Sequence, residues 1–203
     1  MIKKILIFSW LSLVLYFPLI GGNLPDKHLQ KYNVNTKLSK LFWKCDIHNG
    51  YVLIKSGSVF FRDNQPVKGQ VVMLMDSIID KDIDYRLMRL TLQNVLKSDV
   101  FFDVVKFPEA TFNIVQSKKL SSDKYEITGF LSVKGITNKI QFFVHVIKQN
   151  NIIKIISAPF KINRLEWGLK SYSSKSATDD QNFIVSDNIQ FKFILYLFPV
   201  KDP

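Results

Sequence analysis

The amino-acid sequence predicts an all-β fold, either an antiparallel up-and-down barrel or a sandwich, with one minor helix. Two segments, 138–148 and 187–198, alternate between apolar and polar residues, as antiparallel strands with one buried face do. Glycine, asparagine and proline separate such segments at regular intervals. Between Ile78 and Lys97 the apolar spacing changes to the period of a helix.

Composition indicates one globular domain with a large apolar interior. The chain has 203 residues, of which 47% are hydrophobic and 17 are Phe, which excludes a disordered protein. The net charge of +11 would permit transient contact with an anionic membrane surface. No basic run is interleaved with aromatic residues, so we predict no nucleic-acid binding and interpret the charge as a solvated surface.

The first 22 residues are predicted to be a targeting segment. Lys3 and Lys4 precede a mostly apolar run from Ile5 to Ile20, and two glycines follow it. The run is short for a membrane span, so we expect a signal peptide or an uncleaved N-terminal anchor. This predicts a periplasmic or secreted protein. Residues 23–37 are polar and are predicted to be a linker, which leaves residues 38–203 as the folded domain.

The first half of the domain shows three strands and then the helix. Strands are expected over 41–47, over 51–61 with a bulge at Ser56 and Gly57, and over 70–75. The helix is predicted over 84–97, with Asp84 as its N-cap and Lys97 in its last turn. Its apolar face suits a lid packed on the strands, and a membrane-surface helix is the alternative.

The second half shows the clearest strands. Pro108 cannot donate to a strand ladder, so a strand is expected after it, over 110–117. A further strand ending at Val133 should turn through Lys134 and Gly135 into 138–148. Strands over 152–162 and 187–198 complete the sheet, separated by a polar loop over 171–180.

No combination of residues predicts catalysis or metal binding. Cys45 is the single cysteine, so no intramolecular disulfide can form. The three histidines, His28, His48 and His145, lack the spacing of metal ligands. No catalytic triad or carboxylate pair is evident. We therefore expect no enzyme activity, no catalytic residues, no metal and no cofactor.

Two stretches resemble the hallmark of the bacterial YceI-like family. Lys97–Ile114 contains F-F-D followed by a Phe-Pro pair, and Ile127–Ile140 contains T-G-x-L-x-x-x-G-x-T. A third string, W-x-C-x-x-H-x-G, ends at Gly50 and is similar to the first strands of the family. The resemblance extends from about Leu38 to Leu197. It implies an exported, lipocalin-like barrel of about eight strands that holds a long isoprenoid-type or other amphiphilic lipid lengthwise.

The resemblance also implies which residues line the cavity. The ligand would be an isoprenoid-type or fatty-acid-derived lipid, bound for carrying or storage in the cell envelope. A barrel filled by its own side chains, acting as a ligand-free stress or interaction module, is the alternative, because both interiors are apolar. The oligomeric state is not specified. The expected lining residues are Phe101, Phe102, Phe107, Phe112, Ile114, Leu131, Val133, Ile140, Phe142, Val144, Phe160, Ile162, Trp167, Phe191 and Phe193.

Arg164 is the candidate for reading a lipid head group, because its fork of donors suits a phosphate or carboxylate. The alternative is an arginine that clamps loop carbonyls or pairs with a nearby carboxylate. The chain also departs from the family pattern at several polar positions. Phe130 stands where an Asp is usual, and Asn163 and Leu165 flank Arg164 in place of Asp and Thr. These departures concern the head group and the ligand's identity more than the fold.

Overall fold

A computed structural model describes residues 29–175 and 184–200. Within these residues the chain forms ten strands, one α-helix and one short 3₁₀ helix, the last at Arg164–Trp167. The helix α1 spans Arg86–Lys97. The strands are β1 (Gln30–Val34), β2 (Lys40–Cys45), β3 (His48–Arg62), β4 (Gln65–Asp80), β5 (Glu109–Lys119), β6 (Lys124–Val133), β7 (Ile136–Gln149), β8 (Ile152–Ser157), β9 (Phe160–Asn163) and β10 (Asn188–Pro199).

Eight of these strands close a ring. From β2 to β8 each strand pairs with the next one along the chain, and β10 pairs with both β2 and β8. All of the pairings are antiparallel. The prediction of an all-β ring of about eight antiparallel strands with one short helix is confirmed. The β10–β8 pairing excludes an open two-sheet sandwich.

The predicted linker over 23–37 is wrong where β1 forms. β1 pairs with the end of β10 and with β3, and it buries Tyr32 and Val34. These two apolar residues alternate with Lys31 and Asn33, a period-two pattern too short to stand out in a polar segment. The predicted targeting segment, residues 1–22, lies outside the described residues. Within the described ranges, no helix has the length and apolarity needed to cross a membrane.

Several predicted boundaries shift for identifiable reasons. β3 and β4 are 15 and 16 residues long and form one extended hairpin, with register shifts that include the predicted bulge region near Ser56. The single strand predicted over 152–162 is divided at Pro159, which cannot donate a ladder hydrogen bond. The predicted turn between β6 and β7 is confirmed, with positive φ at Lys134 (49°) and Gly135 (78°).

Helix α1 begins two residues later than predicted. Tyr85 occupies the N-cap position and makes no side-chain capping bond, so the prediction of an Asp84 cap is wrong. Lys97 lies in the last turn as predicted and forms an ion pair with Asp76 at 3.2 Å. None of the helix residues is fully buried. The helix therefore packs against the ring and does not form a separate hydrophobic core.

An aromatic cluster holds the inner faces of opposite strands together. The ring of Phe142 stands 5.2 Å from that of Phe112, 4.6 Å from Phe160 and 5.4 Å from Phe193, measured between centroids. Gly129 makes room for this cluster, because a Cβ there would lie 2.4 Å from the Phe112 ring. The glycine of the T-G-x-L string is thus required by close packing.

Candidate ligand-binding cavity

The ring is hollow. It encloses a cavity of about 1170 Å³, above the roughly 300–1,000 Å³ of most small-molecule sites. Fourteen of the fifteen predicted lining residues do line it, with side chains from β5 to β7, from β9 and β10, from the segment that follows α1 and from the 3₁₀ helix. They are Phe101, Phe102, Phe112, Ile114, Leu131, Val133, Ile140, Phe142, Val144, Phe160, Ile162, Trp167, Phe191 and Phe193.

Phe107 is the exception, and its prediction as a lining residue is wrong. Its ring packs against the β6–β7 turn, 3.1 Å from where a Cβ of Gly135 would lie, and the Lys106 ammonium sits over the ring. Phe107 precedes Pro108, which restricts the backbone of Phe107 to an extended conformation just before β5 begins. The aromatic-Pro pair therefore supports the turn beside the cavity.

The wall formed by β2, β3 and β4 was not singled out from the sequence. These strands contribute side chains from alternate positions, as one face of a pleated strand must. The signal was present in β4, where Val71, Met73 and Met75 follow a period of two. It was obscured because Val72 and Leu74 are apolar as well. The additional lining residues from this wall are Leu41, Trp43, Cys45, His48, Val52, Ile54, Val59, Pro66, Val71, Met73, Met75 and Ile78.

Helix α1 forms part of the cavity wall, although none of its residues is fully buried. Leu87, Met88, Leu92, Val95 and Leu96 all face the cavity. Leu87 and Met88 are nevertheless 63% and 62% exposed, so these two side chains border both cavity and solvent. A hydrogen bond and an ion pair join the helix to β4. The helix lies where a lid would lie, and its role as a lid stays a prediction.

Arg164 is a loop clamp in this structure. It is 1% exposed, and it donates to carbonyl oxygens on both flanks of the loop that follows it. Nε donates to Ser186 (3.0 Å), Nη2 to Val185 (3.1 Å), and Nη1 to Ser171 (2.8 Å) and Leu169. The guanidinium also lies 5.5 Å above the Phe101 ring and 3.6 Å from Asp187. The contacts match the clamp alternative and correct the head-group prediction, since these donors are already committed.

The two buried tryptophans differ in how their indole N–H groups are satisfied. Trp167 Nε1 donates to the carbonyl of Leu131 at 3.0 Å, which joins the 3₁₀ turn to β6. Trp43 Nε1 is buried and has no hydrogen-bond partner in the part of the chain that the structure describes. An unpaired buried donor costs free energy, and Trp43 lines the cavity. A polar atom of a bound ligand could satisfy it.

Cys45 also lines the cavity, where its surroundings disfavour the thiolate. Burial, followed by the charge of the neighbouring Asp46 carboxylate, raises the pKa of the Cys45 thiol to about 11. The thiolate is the nucleophilic form, so the thiol is almost entirely inactive at neutral pH. His48, three residues away, interacts with Asp82 instead (2.9 Å). The two do not form a nucleophile–base pair.

The fold also brings together three potential metal ligands, of which His48 lies far from the other two in the sequence. His48, Asp80 and Asp82 meet at one end of the β3–β4 hairpin, with potential ligand atoms all within 4.8 Å of one another. The prediction of no metal-ligand set among the histidines considered sequence spacing alone. Asp80 and Asp82 lie more than 30 residues from His48, so spacing could not reveal the group.

These features define a class of protein: a closed antiparallel ring around a large apolar cavity, with a helix forming part of the wall. The chain belongs to the YceI-like domain family, whose family model matches residues 32–196. No curated protein shows a significant match to the chain.

Solved structures share this fold at low sequence identity. BcnA of Burkholderia cenocepacia has a TM-score of 0.65 at 20% identity, covering 80% of this chain and 98% of its own. A polyisoprenoid-binding domain from Saccharophagus degradans, implicated in plant cell wall breakdown, has a TM-score of 0.58 at 14% identity and covers 83% and 98%. The Campylobacter jejuni YCEI protein has a TM-score of 0.53 at 20% identity and covers 79% and 85%. These similarities establish the common architecture.

Proposed function

We propose that the protein binds one long-chain amphiphilic lipid, of isoprenoid or fatty-acid type, inside the ring and carries or stores it in the cell envelope. The observation that supports this most strongly is the cavity of about 1170 Å³ with its apolar lining. The same observation argues against the alternative of a barrel filled by its own side chains. A cavity of this size without a ligand would forgo the packing that normally fills protein interiors.

The dimensions suit a long chain better than a compact metabolite. One water occupies roughly 30 Å³ in the liquid, so 1170 Å³ divided by that volume gives room for on the order of 40 non-hydrogen atoms. Each buried CH₂ contributes about 0.8 kcal/mol, so a long alkyl or isoprenoid chain gains affinity along its whole length. Few polar side chains line the interior, which disfavours a sugar or nucleotide ligand.

An isoprenoid-type chain is the first ligand to test. The structure from Saccharophagus degradans that shares this fold is described as a polyisoprenoid-binding domain. Methyl-branched chains also suit the aromatic cluster around Phe142, which offers ring faces and edges. Residues 1–22 support an exported protein, periplasmic or secreted.

Binding without catalysis is the activity that the cavity supports. The Cys45 thiol is protonated at neutral pH, and the Arg164 donors are bound to loop carbonyls. The cavity therefore provides an apolar environment suited to a lipid chain, and we expect no catalysis by these groups.

A cavity-filling variant tests the proposal. Ala110 is buried and lines the cavity, whereas Val115 on the same strand is 51% exposed and does not. Purified protein would be titrated with isoprenoid alcohols and fatty acids of increasing chain length. We expect Ala110→Phe to weaken binding of the longest chains at least tenfold, and Val115→Phe to leave it unchanged. Equal affinities for wild type and both variants, or no binding by wild type, would contradict an interior site.

A further inference from the structure

A second site lies at one end of the β3–β4 hairpin. His48 is the first residue of β3, Asp80 is the last residue of β4, and Asp82 follows two residues later. The pairing of Gly50 with Asp80 brings these ends side by side. One imidazole and two carboxylates therefore converge at the open end of the hairpin.

The backbone orients both carboxylates toward the same point. The amide of Ile83 donates to Asp80 Oδ1 at 3.0 Å, and the amide of Asn49 donates to Asp82 Oδ1 at 2.5 Å. The remaining oxygens face the imidazole, with His48 Nδ1 2.9 Å from Asp82 Oδ2 and 3.7 Å from Asp80 Oδ2. Each carboxylate thus has one oxygen fixed by the backbone and one presented to the group.

Asp80 supplies an independent indication that a cation belongs here. Its side chain is fully buried, and its Oδ2 has no hydrogen-bond partner in the described ranges. A buried carboxylate without a full set of partners is destabilising. A divalent cation at this point would reverse that cost.

We propose that His48, Asp80 and Asp82 form a binding site for a divalent transition-metal ion. Atoms that ligate such an ion tetrahedrally at about 2.1 Å lie about 3.4 Å apart, close to the separations of 2.9 Å and 3.7 Å seen here. One nitrogen and two oxygens suit Zn²⁺, Co²⁺ or Mn²⁺, whereas Ca²⁺ needs more oxygen ligands. Binding uses the neutral imidazole, so any proton on Nδ1 is released to solvent.

The site adjoins the cavity, because His48 also lines it. An ion with open coordination positions would present positive charge to a phosphate or carboxylate head group at the cavity rim. This consequence depends on the proposed lipid-binding function, whereas the metal site itself does not. Metal binding and lipid binding are therefore measured separately.

The test uses the untagged, chelator-treated full chain and isothermal titration with Zn²⁺, Co²⁺ and Mn²⁺. We expect one ion per chain and a melting temperature about 5 °C or more higher at 100-fold excess over the Kd. Asp80→Asn and Asp82→Asn each retain the oxygen that accepts the backbone amide, and each should weaken binding at least tenfold. In chelator, Asp80→Asn should melt no lower than wild type, because it removes a buried charge.

His145→Gln is the matched control. His145 Nδ1 contacts Asp123 at 2.8 Å, the same pair geometry, but no second carboxylate completes a group of three around it within the described residues. This variant should bind metal like wild type. Wild type that binds none of the three ions at millimolar concentration would overturn the proposal. Binding that both Asp variants retain, or that His145→Gln loses, would overturn it as well.

A second measurement addresses the head group. Wild type loaded with Zn²⁺ should bind a long-chain phosphate or fatty acid at least tenfold more tightly than it does in chelator, and the corresponding alcohol equally in both. If metal binds but lipid affinities do not change, the head-group consequence is wrong and the metal site stands. If metal binds and no lipid does, the proposed function fails and the metal site stands.

Discussion

At the scale of single residues, burial changes what a polar side chain can do. Arg164 is charged, yet its guanidinium is fully buried and donates hydrogen bonds to carbonyl oxygens on both sides of the loop that follows. Cys45 is a thiol whose reactivity is suppressed by its surroundings. Gly129 contributes by lacking a side chain, since the Phe112 ring occupies the space of its Cβ. Each of these roles yields a separate test.

Arg164→Gln should destabilise the protein without changing lipid selectivity. The substitution removes the charge and several buried hydrogen bonds and leaves loop carbonyls unpaired, which costs about 3–5 kcal/mol. Chemical denaturation measures the free energy of unfolding, and binding of charged and neutral lipids of equal length measures selectivity. Lys161→Gln, an exposed neighbour on β9, is the control and should change neither. A selective loss of charged lipids at unchanged stability would restore the head-group role.

Gly129→Ala should destabilise the aromatic cluster by about 1–3 kcal/mol, as overpacking of a core does. The new Cβ would lie 2.4 Å from the Phe112 ring and 2.3 Å from the Asn113 carbonyl. Combining it with Phe112→Leu relieves only the first clash. A double-mutant cycle should therefore show that the pair loses less stability than the sum of the single variants. Strict additivity would mean that Gly129 and Phe112 are not coupled.

The Cys45 thiol should react with iodoacetamide only at high pH. With a pKa of about 11 against an ordinary value of 9.0, the thiolate fraction at pH 8 is about 100-fold below that of a free cysteine. Alkylation followed by mass spectrometry from pH 7 to 11 should show a rate still rising at pH 10, with the urea-unfolded chain as reference. A plateau near pH 9 in the folded protein would contradict the raised pKa.

At the scale of elements, the ring and helix α1 differ in how firmly they are held. The strands are joined to one another by ladders of backbone hydrogen bonds, whereas α1 is held by a few polar contacts of its side chains. Arg89 donates to the Ile83 carbonyl at 2.8 Å, Gln93 accepts from the Asp80 amide at 3.1 Å, and Lys97 pairs with Asp76. An element with few buried contacts opens more easily than the core. The helix is thus the element best suited to admit a ligand.

Leu92→Asp should therefore release a bound ligand faster while leaving the ring intact. Leu92 is half-buried and faces the cavity, so an ionised side chain there disfavours the closed lid. We expect the lipid dissociation rate to rise at least tenfold and the melting temperature of the ligand-free protein to fall by less than about 3 °C. The control is Asn94→Asp, which introduces the same charge at an exposed position of the same helix and should leave the dissociation rate unchanged. Equal loss of stability with and without lipid would indicate a structural helix.

The elements that could be predicted from sequence are those with sustained periodicity. The alternation in β7 and β10 and the helical period of α1 identified them, and the Lys134–Gly135 turn placed the β6–β7 hairpin. The strand β1 was missed because two apolar residues do not make a pattern. The length of β4 was missed because apolar residues occupy both of its faces. Local propensity cannot show which partner strand a short or uniformly apolar segment will find.

At the scale of the whole molecule, closure of the ring creates properties that no segment has alone. The register of eight strands leaves a cavity, although a filled core and a hollow one have similar apolar sequences. Pairing of β3 with β4 likewise brings His48 close to Asp80 and Asp82 at the open end of the hairpin. The family resemblance, not the periodicity, is what indicated a hollow ring from sequence. Long-range contacts of this kind depend on topology, which residue spacing does not encode.

Organic extraction of the purified protein, followed by mass spectrometry, is the most direct test of a lipid-binding ring. The protein would be purified from its native cells without detergent and compared with the Ala110→Phe variant prepared in the same way. We expect about one long-chain lipid per wild-type chain, and a shorter lipid or a lower occupancy in the variant. Extracts that contain no lipid, together with no uptake of isoprenoid or fatty-acid chains added to the empty protein, would contradict the proposed function.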